Sequence, residues 1–213
     1  MILLLQMGKT KPHFSEENLC WQSGIDHVIG MDEVGRGAFA GPIVAAGVIY
    51  KPNLKSDFLD KVNDSKLLNP KLREELSIII KENSIWEIAT VDINFINKFG
   101  IGKANREVFN KVIEKLLLRL KTDNYFLLID GFNLNIPKQK SIINGDKISL
   151  SIASASIIAK VYRDDLMRKA SNIHPNYLFA KNKGYGTLEH RNAIKLNGLC
   201  DLHRTSFDLQ KFL

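Results

Sequence analysis

Apolar positions along this chain follow two periods, and the alternation between them sketches its elements. Val28–Asp32 is a short apolar run ending in charge. Pro42–Tyr50 (PIVAAGVIY) is rich in β-branched residues, with its proline at the start, where a missing N–H is tolerated. With the glycines between them, these two runs predict a hairpin. Trp86–Val91 predicts a strand, and the unbroken run Tyr125–Ile129 predicts another, buried on both faces. Ser141–Ile143 predicts a short strand closed by Asn144-Gly145. Asn69-Pro70, ahead of residues 71–83, reads as an N-cap followed by proline at the first helical position. Between Asn94 and Leu120 apolar residues recur every three or four positions, with Val108, Val112, Leu116 and Leu120 in one stripe. That spacing predicts one or two amphipathic helices, broken near Gly100 and Gly102. Ser151 to about Lys169 predicts a long helix whose Ala- and Ser-rich first turns allow close packing on a sheet. Thr187–Asn197 predicts a last helix, capped by Thr187 and stopped by Gly198. Residues before about His27 carry no clear period and are expected to be a poorly defined leader. The whole reads as one α/β layer domain over residues 28–213, with a more helical C-terminal third.

Composition narrows the class. The chain has 213 residues, 45% of them hydrophobic, enough for one sizeable core. No stretch of about 18 apolar residues is present, which excludes an ordinary membrane-spanning helix. Met1–Leu5 is apolar but too short for a signal segment, so a cytoplasmic location is expected. Cys20 and Cys200 lack metal-ligand spacing and are expected to be free thiols. With no CxxC or HExxH, a bound metal is expected to be a hard ion held by oxygen. The net charge is +7, and from Lys147 onward there are eleven Lys/Arg against five Asp/Glu. A solvated basic face explains this, and so does a polyanionic partner.

Four acidic residues end apolar runs instead of decorating polar faces. Asp32 and Glu33 end VIGM, Asp130 ends YFLLI, and Asp146 follows IING before the Ser/Ala-rich helix. Carboxylates at strand ends can share a cleft, where their repulsion invites a cation, although each can also merely cap a turn. Neighbours on a regular strand point to opposite faces, so Asp32 and Glu33 are expected to share a site only if the strand bends or ends there. Gly35-Arg36-Gly37 offers backbone able to approach a ligand and a guanidinium fork for phosphate, though a tight hairpin connection explains it equally.

GMDEVGRGAFAGPIVAAGVIY (Gly30–Tyr50) resembles the opening signature of the ribonuclease HII family. NDSKLL (Asn63–Leu68), LLIDGFN (Leu127–Asn133), NGDKISLSIASASIIAKVYRD (Asn144–Asp164), KGYGT (Lys183–Thr187) and HRTSF (His203–Phe207) follow in the family's order. The resemblance implies a ribonuclease-H-like fold, a mixed central sheet flanked by helices with a helical C-terminal part. It implies hydrolysis of the RNA strand of RNA–DNA hybrids, and cutting 5′ to single ribonucleotides in duplex DNA, giving 5′-phosphate and 3′-hydroxyl ends. Magnesium or manganese is implied, two ions in the catalytic complex, held by Asp32, Glu33, Asp130 and Asp146. Related type HIII enzymes usually carry a folded extension ahead of the DE pair, and the 31 residues before Asp32 favour type HII. By the same resemblance Gly35, Arg36 and Gly37 meet the 2′-hydroxyl region and Tyr185 lies against the adjoining sugar. Lys66, Lys160, Arg163, Lys183 and Arg204 are expected to meet phosphates, although Lys160 and Asp164 also suit a plain surface pair. Asn144 stands where the family commonly has lysine, which leaves Asp164 as an alternative fourth carboxylate. Two rival readings are another two-metal nuclease of this fold and a non-catalytic basic nucleic-acid binder. A monomer is expected, and Gln210-Lys-Phe-Leu raises a sliding clamp as a partner.

Overall fold

The computed structural model describes residues 11–213, so the apolar opening Met1–Leu5 lies outside the described residues. Five strands, β1 His27–Val34, β2 Ile43–Ile49, β3 Ile85–Val91, β4 Tyr125–Asp130 and β5 Gln139–Ile142, form one sheet in the order β3-β2-β1-β4-β5. The β1–β2 and β2–β3 pairs are antiparallel, while β1–β4 and β4–β5 are parallel. The sheet is therefore mixed, as expected, and the predicted hairpin is β1–β2.

Seven α-helices accompany the sheet among the described residues: α1 Ser15–Gln22, α2 Pro70–Glu82, α3 Ile93–Phe99, α4 Ile101–Leu120, α5 Leu150–Ile173, α6 Phe179–Asn182 and α7 Leu188–Asn197. The caps fall where the sequence placed them. Asn69 accepts from the Leu72 N–H, Thr187 accepts from the His190 N–H, and Gly100 separates α3 from α4 at φ +81°. Strand β2 explains why PIVAAGVIY shows no alternation. Ile43, Ala45 and Ile49 enter a core with α4, whereas Val44, Ala46 and Val48 enter a second core with α2 and α5. Both faces are covered, so both must be apolar.

Helix α5 lies directly on β1. A Cβ on Gly30 would sit 2.2 Å from Ser151 Oγ, so a side chain here would push the helix off the sheet. The buried serines of α5 find partners: Ser154 Oγ meets the Tyr50 hydroxyl at 2.7 Å and Ser156 Oγ meets Ser65 Oγ at 2.8 Å.

Within the stretch expected to be a poorly defined leader, Ser15–Gln22 forms helix α1. Its anchor is a buried carboxylate: Glu17 Oε1 accepts from both the Ser149 and Ser151 hydroxyls at 2.6 Å and from the Ser151 N–H at 2.9 Å. Phe14 packs on Trp21 and Tyr50, each with ring centroids 5.5 Å apart. An anchor made by one acid and a flanking aromatic leaves no apolar period to read.

After α5 the chain forms a third small core around Tyr177, Phe179 and Ile194. The tail returns to it, with Phe212 stacked on Phe39 at 5.5 Å.

Candidate active site

Pairing between β1 and β4 stops at Met31 and Ile129, while pairing with β2 continues through Asp32, Glu33 and Val34. The expected bend or end at Asp32–Glu33 is thus absent; β4 departs instead and opens that side of β1. Asp32, Glu33, Asp130, Lys66, Lys160 and Tyr185 line one cavity of about 360 Å³ at this opening. A hollow of about 540 Å³ beside Trp21 and Pro52 is roomier but gathers no carboxylate cluster.

The loops that complete the cleft are held locally. Asp130 Oδ1 accepts from the Gly145 N–H at 2.7 Å, which fixes the single 3-10 turn Gly145–Lys147 and buries Asp146 beside the strand end. Ser149 then caps α5. Across the cleft, Arg73 donates to the carbonyls of Ser65 and Leu68 and so shapes the loop carrying Lys66.

Electrostatics tie the four expected carboxylates into one group. Burial, then the charges of Glu33 and Asp130, push Asp32 well above the ordinary carboxylate range, against the favourable Ser156 hydroxyl. Burial lifts Glu33 to about 7 despite Arg36, and burial with the charges of Asp64 and Asp130 lifts Asp146 to about 6. Asp130 is raised by burial and Asp64, with the Gly145 N–H and Lys66 opposing. Burial works against the Lys66 ammonium, yet Asp146, Asp64, Asp32 and Asp130 outweigh it and hold its pKa above the usual lysine value. Lys66 is thus a resident counter-charge to the cluster.

Asp64 is a fifth acid that the sequence reading left out of the site. It is buried, its Oδ1 accepts from the Lys66 N–H at 2.9 Å, and its charge acts on Asp130 and Asp146. Only its place inside NDSKLL could have flagged it. Asp164, the alternative fourth carboxylate, is committed elsewhere, to Lys160 at 2.7 Å and Arg73 at 3.7 Å.

This donor set suits a hard divalent cation: clustered carboxylate oxygens, partly buried, mutually repelling and only partly neutralised by one lysine. The repulsion gives a measurable pH signature. The folded pKa of Glu33 lies above its unfolded value, so its ionisation costs stability progressively as pH rises from about 4.5 to about 7. In chelator, the melting-temperature difference between Glu33→Gln and the wild type should therefore shift in the variant's favour across that window and level off above it. A difference that stays flat with pH would show that Glu33 is not held against its charge.

The Gly35–Gly37 loop rests on two buried arginines. Gly35 has φ +94°, and a Cβ there would fall 2.1 Å from Arg163 Nε. Arg163 donates to the carbonyls of Pro42, Ala40 and Lys183, and Arg204 donates twice to Gly41 and once to Arg36. Both residues are 0% exposed. This corrects the expectation that they meet phosphates: their N–H groups are spent on backbone, clamping the GRG loop to the KGY loop. Arg36 and Gly37, by contrast, are exposed.

Tyr185 is half-buried, with the Arg163 guanidinium 5.3 Å and the Lys160 ammonium 5.9 Å from its ring centroid. Its backbone is pinned by a histidine pair that sequence reasoning missed. The Tyr185 carbonyl can only accept, so His190 Nδ1 carries a proton and donates at 2.9 Å. His190 Nε2 then accepts from His203 Nε2 at 3.1 Å, and His203 Nδ1 accepts from the Cys200 N–H at 2.9 Å.

Lys183 is half-buried with its ammonium on the Ala180 carbonyl, and burial lowers its pKa. If it rotates onto a phosphate, Lys183→Ala should shallow the log–log dependence of duplex affinity on salt by roughly one unit. An unchanged slope would place Lys183 off the nucleic-acid path.

Comparison with known proteins shows the family and the fold. The family model described as Ribonuclease HII matches residues 29–210. The ribonuclease HII of Clostridium tetani is 48% identical over 186 residues, 84% of this chain and 67% of that one. That of Dehalococcoides mccartyi is 42% identical over 199 residues, 92% of each chain. Among solved structures, a chain from the PCNA–ribonuclease HII complex of Archaeoglobus fulgidus superposes with TM-score 0.66 at 26% identity, covering 84% of this chain and 92% of that one. Ribonuclease H2 from Pyrococcus horikoshii shares the fold with TM-score 0.66 at 20% identity, covering 87% of this chain and 96% of that one.

Proposed function

The chain belongs to the ribonuclease HII family, endoribonucleases acting on RNA–DNA hybrids, and from that premise we propose that it also cuts 5′ to a single ribonucleotide embedded in duplex DNA. The observation that carries this reading is that Tyr185 lines the same cavity as Asp32, Glu33 and Asp130, with Arg163 packed against Gly35 and donating to the carbonyls of Ala40 and Lys183. A reader and a cutter so joined need only one 2′-hydroxyl between them.

Asp32, Glu33, Asp130 and Asp146 would hold two magnesium or manganese ions. When bound, such ions neutralise phosphate charge, activate water and stabilise the leaving oxygen. The protein's own part is positioning. Backbone groups of Gly35–Gly37 meet the 2′-hydroxyl, the Tyr185 ring backs the adjoining sugar, and Lys66 and Lys160 offer charge to the phosphates beside the cut. Asp64, bonded to the Lys66 backbone, positions that lysine and adds negative charge toward Asp130 and Asp146. In-line attack leaves a 5′-phosphate and a 3′-hydroxyl.

Cytoplasmic residence and a monomeric state belong to the same reading. Among the described residues, no helix is long and apolar enough to cross a membrane. A sliding clamp, if it docks on Gln210–Leu213, must first detach Phe212 from Phe39.

The test is a labelled DNA duplex carrying one ribonucleotide, incubated with magnesium and, separately, with chelator, followed by analysis of the new ends. Magnesium-dependent cuts with 5′-phosphate and 3′-hydroxyl ends support the reading. Cleavage that survives chelation, or that leaves a 3′-phosphate, contradicts it.

A further inference from the structure

A second cluster of metal-ligating side chains lies at the far end of α5, apart from the carboxylate cleft. His174 follows the last residue of α5, and Cys200 and Asp201 lie in the turn after α7. One donor atom from each of the three falls within 4.8 Å of the other two. From this juxtaposition we infer that His174, Cys200 and Asp201 form a structural site for a borderline-soft divalent cation, zinc in particular.

The donor set is the reason for naming zinc. An imidazole nitrogen, a thiolate sulfur and a carboxylate oxygen together match zinc's mixed preference, whereas magnesium and manganese favour the all-oxygen cleft. Bonds of about 2.0–2.3 Å in a tetrahedron put donors about 3.3–3.8 Å apart. A pair at the 4.8 Å limit must therefore close by about 1–1.5 Å, through small side-chain rotations of the partly exposed His174 and Cys200 and the exposed Asp201. His174 Nε2 already lies 3.1 Å from Asp201 Oδ1. The His174 ring is braced edge-on by Tyr177 and Phe179, with centroids 6.4 and 6.3 Å away. Backbone N–H groups of Leu202 and His203 face the Cys200 sulfur and favour its thiolate, while burial and Asp201 hold the thiol above its ordinary pKa. A cation would remove that conflict and take a water as its fourth ligand.

The site has a structural consequence. It joins the end of α5 to the turn that leads into Leu202–Arg204. The Leu202 carbonyl accepts from the Gly41 N–H at 2.9 Å, and the Arg204 N–H donates to the Phe39 carbonyl at 2.8 Å. The ion would thus staple the segment that clamps the GRG loop.

The experiment uses cobalt(II) as the probe, added to the full chain in excess magnesium so that the carboxylate cleft is already supplied. Wild type and Cys20→Ser should bind one cobalt with a thiolate-to-cobalt charge-transfer band in the near ultraviolet, and zinc should bleach it. Cys200→Ser should lose the band, and His174→Gln should bind cobalt at least about tenfold more weakly. Zinc should raise the melting temperature of the wild type but not of Cys200→Ser. If Cys200→Ser does not fold, as judged by circular dichroism, His174→Gln carries the comparison, since its side chain makes one exposed polar contact. No thiolate band in the wild type, a band that survives Cys200→Ser, or undiminished cobalt affinity in His174→Gln would each overturn the proposal. None of these outcomes bears on magnesium-dependent cleavage, which is measured separately.

Discussion

Asp130→Asn should abolish cleavage of an RNA–DNA hybrid while leaving duplex binding within a few-fold of wild type. Asparagine keeps an oxygen for the Gly145 N–H, so the turn carrying Asp146 stays in place. It removes the one negative charge that raises Asp32, Glu33 and Asp146 alike. The loss in rate should exceed the ~10–100-fold typical of a group that merely supports a metal ligand. Basic surface is untouched, so affinity for the duplex in chelator should hold. Stability should move the other way from activity. Burial and Asp64 both disfavour the ionised Asp130, so in chelator at neutral pH the variant should melt no lower than the wild type, and higher if the repulsion dominates. Magnesium should then stabilise the wild type more than the variant. Cleavage within a few-fold of wild type at saturating magnesium would remove Asp130 from the centre, and a clear fall in melting temperature in chelator would make it a structural cap.

The second large effect concerns Tyr185. Its backbone bonds, from its carbonyl to the His190 ring and from its N–H to the Asn182 carbonyl, do not depend on the side chain. Tyr185→Ala should therefore leave the KGY loop in place and remove only the ring. Cleavage at an isolated ribonucleotide should fall roughly ten- to a hundredfold, the scale of about 1.4–2.7 kcal/mol lost from transition-state positioning. A continuous hybrid offers a usable hydroxyl in many registers, so its cleavage should fall less. Equal losses on both substrates would show that the ring does not position the sugar. Steady-state rates on matched duplexes, one with a single ribonucleotide and one with a continuous RNA strand, decide between the two.

How much of this was legible beforehand follows from the kind of signal each feature leaves. Asp32, Glu33, Asp130 and Asp146 were visible because an acid that ends an apolar run breaks a pattern. Asp64 sits in a polar loop, where one more acid breaks nothing. Arg163 and Arg204 read as phosphate ligands because a motif shows charge but not burial. In the fold their guanidinium groups serve backbone carbonyls, a role no spacing announces. Helix α1 left no period because Glu17 anchors it. His174 and Cys200 are separated by α6 and α7, so their approach appears only once the C-terminal core has closed around Tyr177 and Phe179. Strand and helix positions were far easier to read, since β2 must satisfy two cores and α4 must present one stripe to the sheet.

The central claim is that one 2′-hydroxyl, read by the GRG loop and Tyr185, directs cutting in the adjoining carboxylate cleft. The most direct measurement is single-turnover cleavage of a DNA duplex carrying one ribonucleotide, beside its all-DNA twin, in magnesium. Once the bound duplex covers the reader, a missing hydroxyl leaves its partner unpaired, at a cost of about 1–3 kcal/mol or more. The account predicts a cut on the 5′ side of the ribonucleotide, which stays at the new 5′ end, with the all-DNA duplex inert. Cleavage of long hybrids with the isolated ribonucleotide ignored at every enzyme concentration would contradict it, and would mean that the cleft reads a run of ribonucleotides.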